Sequence, residues 1–375
     1  MRIAIDVRKY QDFGIGTYVR NLVHHLARID PSSEYLLLCR PQDRGRIAIP
    51  SARFRLIDEP AGINSAAEQV HIPIQLRRER VDLFHSPSYI LPPLIHCRSV
   101  VTIHDCIHLI FSDHLASRLS HVAMRLQMWT AAHRSDRVLT VSEASKQDIL
   151  RRFRIPADKV TVVYNAIDER LVIPPGSDDF QRVRDRYQLE GPFALYVGNV
   201  KPHKNLERLI EAFKDVRRQE RFEPLKLVII GDEISRYQGL RRAVHRHKLH
   251  KHVRFLGFVA PATLSVLYRM ARVFVFPSLY EGFGLPPLEA MYLGTPVVTS
   301  NVSSLPEVVG DAAVLVDPYD TASIAEGMRR ALTDEPLRAE LREKGMARAR
   351  EFSWEQSVGQ IHQVYREVME RSDPL

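Results

Sequence analysis

The 375-residue chain is long enough for two domains, each with its own core. With 45% hydrophobic and 26% charged residues it reads as a soluble globular protein, and no apolar run approaches the roughly 18 residues of a membrane span. A net charge of +8 fits either a solvated surface with excess arginine or an anionic partner such as a phosphorylated substrate or an anionic membrane, and the lack of zinc-finger spacing, helix-turn-helix or interleaved aromatic and basic residues argues against nucleic acid.

Strands are expected at residues 3–7, 35–39, 54–57, 83–85, 99–103, 138–141 and 160–163. Helices are expected at 16–29, 68–78, 121–133 and 143–153. Tyr18, Leu22, Leu26 and Ile29 share one face of the first helix. Ser142 is a good N-cap for the helix at 143. A strand begins at once, so no signal peptide is expected. Cys39, Cys97 and Cys106 have no metal-ligand spacing and fit reduced thiols in a cytoplasm.

Residues 168–190, with Pro174-Pro175-Gly176-Ser177, break the pattern and read as a hinge. The alternation then restarts. Strands are expected at 193–197, 225–230, 253–256, 273–276, 296–300 and 313–316. Helices are expected at 206–217, 237–247, 261–270, 287–293, 322–333 and 335–349. A last helix opens at Trp354 and runs to about Glu370, with Val358, Ile361, Tyr365 and Val368 along one side. Strands alternating with helices imply mostly parallel sheets covered on both faces. The fold class is therefore α/β, with two Rossmann-like domains at 1–170 and 190–352 and a C-terminal helix in 353–375. Ligands of such sheets bind beyond the carboxyl ends of the strands, and two facing domains make a cleft.

The segment Glu281-Gly-Phe-Gly-Leu-Pro-Pro-Leu-Glu289 carries the most chemistry. A helix starting near Pro286-Pro287 and capped by Gly294 puts free amides between two carboxylates. Amides suit a phosphate, and carboxylates accept hydrogen bonds from sugar hydroxyls. Together they point to a nucleotide-sugar site. Gly14-Ile-Gly16 opens the first helix and allows close approach of an anion, though it is not the full dinucleotide fingerprint. His104-Asp105 follows a strand. His104 can donate to a sugar hydroxyl or act through its carbonyl, and Asp105 can orient the imidazole or cap the backbone. Lys201, His203 and Lys204 follow the first strand of the second half, with Lys204 closest to a helix N-terminus and best placed for a diphosphate. Gly231-Asp232-Glu233 and Phe255-Leu256-Gly257 end strands where a base can lie against backbone. Cys106, His108 and His85 do not match a zinc-site spacing.

With these motifs in order, the chain resembles the retaining glycosyltransferases of the GT4 family, which have the GT-B fold. The Glu281…Glu289 spacing, Gly14-Ile-Gly16, His104-Asp105, the 202–205 loop, Pro296-Val-Val and Pro306-Glu-Val fall in family order. The final helix is similar to the one that crosses back onto the N-terminal domain. The resemblance implies that Glu281 contacts donor-sugar hydroxyls and Glu289 holds the ribose. It implies that amides around Gly282, Phe283, Gly284 and Leu285 bind sugar and diphosphate, and that Lys204 neutralises the leaving group. It places His104 against the sugar on the acceptor side and Gly16 near the diphosphate. Many relatives carry an arginine where this chain has Asn199, so Lys201, His203 or backbone must assist Lys204. The loop forms resemble the branch rich in mannosyl- and rhamnosyltransferases of surface polysaccharide assembly.

The implied activity is a metal-independent, retaining hexosyltransferase using GDP-mannose and a saccharide or lipid-linked saccharide acceptor, with no cofactor. The chain has no Asp-x-Asp triplet for a metal-bound diphosphate. Peripheral attachment to an anionic membrane fits the basic N-terminal half. A UDP-sugar transferase, a GT-B epimerase and a basic nucleic-acid-binding protein are the alternatives.

Overall fold

The computed structural model describes residues 1–12, 14–111, 118–231 and 237–370. The chain forms two compact units, Met1–Asn165 with Ser353–Leu375, and Ala166–Phe352.

In the first unit the strands are β1 (Arg2–Asp6), β2 (Glu34–Cys39), β3 (Phe54–Asp58), β4 (Leu83–Ser86), β5 (Arg98–Thr102), β6 (Arg137–Thr140) and β7 (Val160–Val162). They form one parallel sheet in the order β3-β2-β1-β4-β5-β6-β7. Its helices are α1 (Gly14–Ile29), α2 (Glu68–Arg78), α3 (Ile107–Ile110), α4 (Arg118–Arg134) and α5 (Glu143–Phe153). Ser142 caps α5 by accepting the Ser145 N–H at 3.0 Å. Strands such as Ile3-Ala4-Ile5 and Val100-Val101 are fully buried, as expected for a sheet covered on both faces.

The second unit opens where a hinge was expected. Residues 168–190 instead hold a 3-10 turn, Glu169–Leu171, and helix α6 (Asp179–Tyr187). The prolines end at Pro175, and Val183 gives the polar helix its one buried anchor. The strands β8 (Phe193–Val197), β9 (Lys226–Ile230), β10 (Val253–Gly257), β11 (Val273–Phe276), β12 (Val297–Ser300) and β13 (Val314–Val316) form a parallel sheet in the order β10-β9-β8-β11-β12-β13. The helices are α7 (Leu206–Arg217), α8 (Gln238–Arg246), α9 (Pro261–Met270), α10 (Leu285–Tyr292), α11 (Leu305–Val309), α12 (Thr321–Thr333) and α13 (Glu335–Arg350).

The last helix, α14 (Trp354–Glu370), belongs to the first unit and packs on α1. In each sheet the strand order reverses once, between β1 and β4 and between β8 and β11. Chains leave those neighbouring strands in opposite directions and open a crevice at the carboxyl ends. Among the described residues, no helix is long and apolar enough to cross a membrane.

Candidate active site

The segments after β8 and β11 meet at the reversal point of the second sheet, and two ties hold them together. Asn205, in the left-handed region at φ 61°, donates from Nδ2 to the carbonyls of Pro277 and Pro318 at 2.9 and 2.6 Å. The Leu279 N–H donates to the His203 carbonyl at 2.8 Å. This brings the turn Pro202–Lys204 against the loop that carries Glu281.

The result is a paired charge. Lys204 Nζ donates to both Glu281 carboxylate oxygens, at 2.7 and 2.8 Å, and lies 5.4 Å from the Phe276 ring centre. The two side chains are 13% and 12% exposed. The sequence marked both residues, and the structure shows that they touch. Lys201 is exposed at the start of the same turn, while the His203 side chain is buried.

The loop from Glu281 to Gly284 is clamped by two serines. Ser303 accepts the Glu281 N–H at 3.1 Å, and its own hydroxyl donates to the Glu281 carbonyl at 2.6 Å. Buried Ser304 reaches the carbonyls of Glu281 and Phe283 at 3.0 and 2.8 Å. Gly282 is buried, and Phe283 packs edge-on to Phe352. Gly284 precedes α10 at φ 113°, and a Cβ there would stand 2.9 Å from Leu305 Cδ2, so glycine is required. The helix starts at Leu285, earlier than expected, because Pro286 and Pro287 fit inside a first turn whose amides have no intrahelical partner. Prolines carry no N–H, and the Leu288 N–H donates to the Gly284 carbonyl at 3.3 Å, so the amides that can meet an anion at this helix start are those of Gly284 and Leu285.

Glu289 lies one turn into α10. Its Oε2 accepts the Tyr268 hydroxyl at 2.8 Å. Burial pushes its carboxyl up to about 7, the nearby Asp168 charge adds to the rise, and the Tyr268 bond and Arg170 oppose it. This carboxyl therefore titrates near neutrality.

In the first unit, Gly14 begins α1 and Gly16 is buried in it. A Cβ on Gly16 would meet the Tyr10 carbonyl at 2.7 Å and Arg20 Nη1 at 2.9 Å, so packing of the preceding loop already requires glycine. His104 follows β5. Its Nε2–H donates to the Pro87 carbonyl at 3.2 Å, and its ring meets the edge of Tyr18 at 5.0 Å. Burial pushes its pKa down to about 4, with Lys9 adding to the effect and the Pro87 bond opposing it, so the ring is neutral and Nδ1 carries the lone pair. The His104 carbonyl accepts the Ser145 hydroxyl at 3.1 Å. Asp105 Oδ1 accepts the Ile107 N–H at 2.9 Å, the capping role.

Below His104 runs a buried polar chain. His85 meets the Tyr365 hydroxyl at 2.5 Å through Nδ1 and Thr102 Oγ1 at 2.9 Å through Nε2, and Thr102 meets the Tyr18 hydroxyl at 3.1 Å. After β1, Arg8 is 1% exposed and pairs with Asp6 at 2.7 Å and Glu68 at 3.0 Å. Among the described residues, no three His, Cys, Asp or Glu side chains are grouped to hold a metal. Gly257 ends β10 at φ 65°, and its carbonyl accepts the Gly231 N–H at 3.1 Å. Asp232 and Glu233 lie outside the described residues.

Ser303, Ser304, Tyr268 and Asn205 are positioning residues that sequence reasoning missed. Asn205 alone left a signal, an asparagine just before a helix start.

The family model for glycosyl transferases group 1 matches residues 178–348, and that for glycosyltransferase family 4 matches residues 14–171. An O-antigen chain mannosyltransferase B from Escherichia coli is 36% identical, over 97% of this chain and 98% of its own length. The chain belongs to glycosyltransferase family 4. This glycosyltransferase is also 32% identical to a serotype-specific mannosyltransferase WbdA of Escherichia coli, over 72% of this chain and 34% of that protein. Its branch is thus the one with named mannosyltransferases. The solved structure of Anabaena HepE in complex with UDP-glucose superposes with a TM-score of 0.78 at 18% identity, over 98% of this chain and all of that one (100%), which shows the GT-B fold.

Proposed function

We propose that this glycosyltransferase moves mannose from GDP-mannose to a saccharide or lipid-linked saccharide acceptor, with retention and without a metal, in O-antigen-type polysaccharide synthesis. The mannose and O-antigen assignments rest on the named relatives. The site assignment rests on one observation, the Lys204–Glu281 pair held at the strand-order reversal beside the open N-terminus of α10.

In this reading the diphosphate takes the amides at Gly284 and Leu285, together with the Lys204 ammonium. Donors fixed in advance stabilise charge as it develops on the leaving group and need no reorganisation. Glu281 holds Lys204 in place and accepts from sugar hydroxyls, while Glu289 takes the ribose. His104, neutral, meets the sugar on the acceptor side. Both Glu281 oxygens already accept from one ammonium, which makes that carboxylate a poor covalent nucleophile. Attack on the same face, with a phosphate oxygen taking the acceptor proton, is the route this favours.

The test is a thermal-shift panel of GDP-, UDP-, ADP- and dTDP-sugars, since a ligand that binds the folded state raises its melting temperature. GDP-mannose should give the largest shift. A larger shift with UDP-glucose would move the donor assignment to the UDP-sugar alternative, and product with inverted anomeric configuration would overturn retention. Transfer that stops with a chelator and returns with a divalent ion would overturn metal independence.

A further inference from the structure

Tyr18 stands beside the His104 ring, and both its ring and its hydroxyl are held. The Tyr18 and His104 rings meet at 5.0 Å with 89° between their planes. The Trp354 ring of α14 lies 6.0 Å from that of Tyr18. The Tyr18 hydroxyl meets Thr102 Oγ1, and Thr102 continues the chain through His85 to Tyr365. Tyr18, Thr102, His85 and Tyr365 are all buried. Burial pushes the His85 pKa down to about 3, and the nearby His104 adds to the fall, so the His85 ring is neutral. A neutral imidazole donates once and accepts once, so both of its contacts can be made together.

Stability does not call for this arrangement. Apolar side chains of the same shape would fill the space at little or no cost, whereas each buried hydroxyl must keep its partner. What the chain adds is a fixed position for the Tyr18 ring, because its hydroxyl cannot slide without breaking a link below it. His104 needs such a support. Its Nε2–H is taken by the Pro87 carbonyl, so Nδ1 is the atom left to accept from a sugar hydroxyl. A bond of 3.2 Å at one corner of the ring is long, and the torsion about Cβ–Cγ is broad, so a second contact is needed to hold the plane. We propose that Tyr18 is the positioning residue of His104. Latched through Thr102 and His85 to Tyr365 of α14, it sets the plane in which Nδ1 meets the sugar, an inference that rests on the sugar contact proposed for His104.

The experiment compares Tyr18→Phe, which keeps the ring and cuts the latch, with Tyr18→Leu, which removes the ring. Each is made alone and with His104→Ala in the full-length protein. GDP release from GDP-mannose is followed with methyl α-mannoside as acceptor, at a temperature where every variant is folded. The kcat should fall about threefold in Tyr18→Phe and about tenfold or more in Tyr18→Leu. The KM for GDP-mannose should stay near that of wild type, because the diphosphate and ribose contacts are assigned to the second unit. Neither Tyr18 variant should lower turnover further once His104 is alanine, since groups acting as a unit are not additive. A general loss of packing would lower it by the same factor in both backgrounds. Proton–nitrogen correlation spectra of protein carrying isotope-labelled histidine need neither turnover nor a donor assignment. The His104 signals, identified by their loss in His104→Ala, should show the Nε2–H tautomer in wild type and a mixture of tautomers in Tyr18→Leu. An unchanged tautomer in Tyr18→Leu would overturn the proposal, and so would equal losses of turnover with and without His104. Wild-type turnover in His104→Ala would instead remove the sugar contact of His104, and the inference with it.

Discussion

The Lys204–Glu281 pair can be tested by removing each half. At 2.7 Å and an effective dielectric near 20, the gross attraction is roughly 6 kcal/mol. Desolvation offsets much of this. Stranding one partner of a buried pair costs about 3–5 kcal/mol, whereas exposed pairs contribute about 0–1 kcal/mol. With side chains 13% and 12% exposed, this pair lies nearer the buried case, and roughly 2–3 kcal/mol should be lost in Lys204→Ala or Glu281→Ala. For a unit of about 150–250 residues that is a fall of roughly 4–12 °C in Tm. The double variant should be no less stable than either single one, because it strands no charge. Calorimetry of all four proteins without nucleotide gives the coupling energy. Turnover should fall about 10²–10³-fold in each single variant, and the double variant should fall little further, since the two groups act as a unit. Strictly additive stability effects, with coupling below about 0.5 kcal/mol, would refute the paired charge. Wild-type turnover in Glu281→Ala would refute the site.

Two more outcomes follow from neighbouring residues. The Glu289 carboxyl titrates at about 7 in the folded protein against an ordinary 4.5, so the native state holds a proton that the unfolded chain has released. Its contribution to stability is full below the lower value and is lost as pH rises through the upper one. Glu289→Gln should therefore melt with wild type near pH 4.5 and above it near pH 8.5 in a pH series of Tm; a variant that is less stable at the higher pH would show the reverse sign and defeat the burial argument. Asn205→Ala should cost about 3 kcal/mol in urea unfolding, from two stranded carbonyls and a side chain forced into the left-handed region. Asn205→Gly, freed of the second term, should recover about 1 kcal/mol, and equal stability of the two variants would remove the backbone part of that account.

Most of the fold was legible because its strands are continuous apolar runs and its helices carry one periodic face. The expected bounds at 193–197, 206–217 and 273–276 coincide with β8, α7 and β11. The helix Asp179–Tyr187 was not legible, since the Pro174-Pro175-Gly176 signal next to it is strong and only one of its residues is buried. Lys204 and Glu281 were each legible from position, beside a helix start and in a glycine loop. Their contact was not, because they are 77 residues apart and are joined by ties from Asn205 and His203. Ser303 and Ser304 were invisible as clamps for the same reason. Their hydroxyls serve a loop 21 to 23 residues upstream, and no local pattern records that. His104-Asp105 shows the opposite limit. The pair was legible, but its further contacts were not: the imidazole meets the Pro87 carbonyl and the carboxylate caps Ile107.

The membership of α14 has a consequence for biosynthesis. Tyr365 meets His85, the Ser357 hydroxyl meets the Tyr164 carbonyl at 2.6 Å, and Glu367 pairs with Arg137 at 3.3 Å. All three partners leave the ribosome long before the helix that completes them. The nascent first unit must wait, with that side of its core uncovered, while the whole of Ala166–Phe352 is translated. A premature stop near residue 352 would thus harm the part of the protein made first.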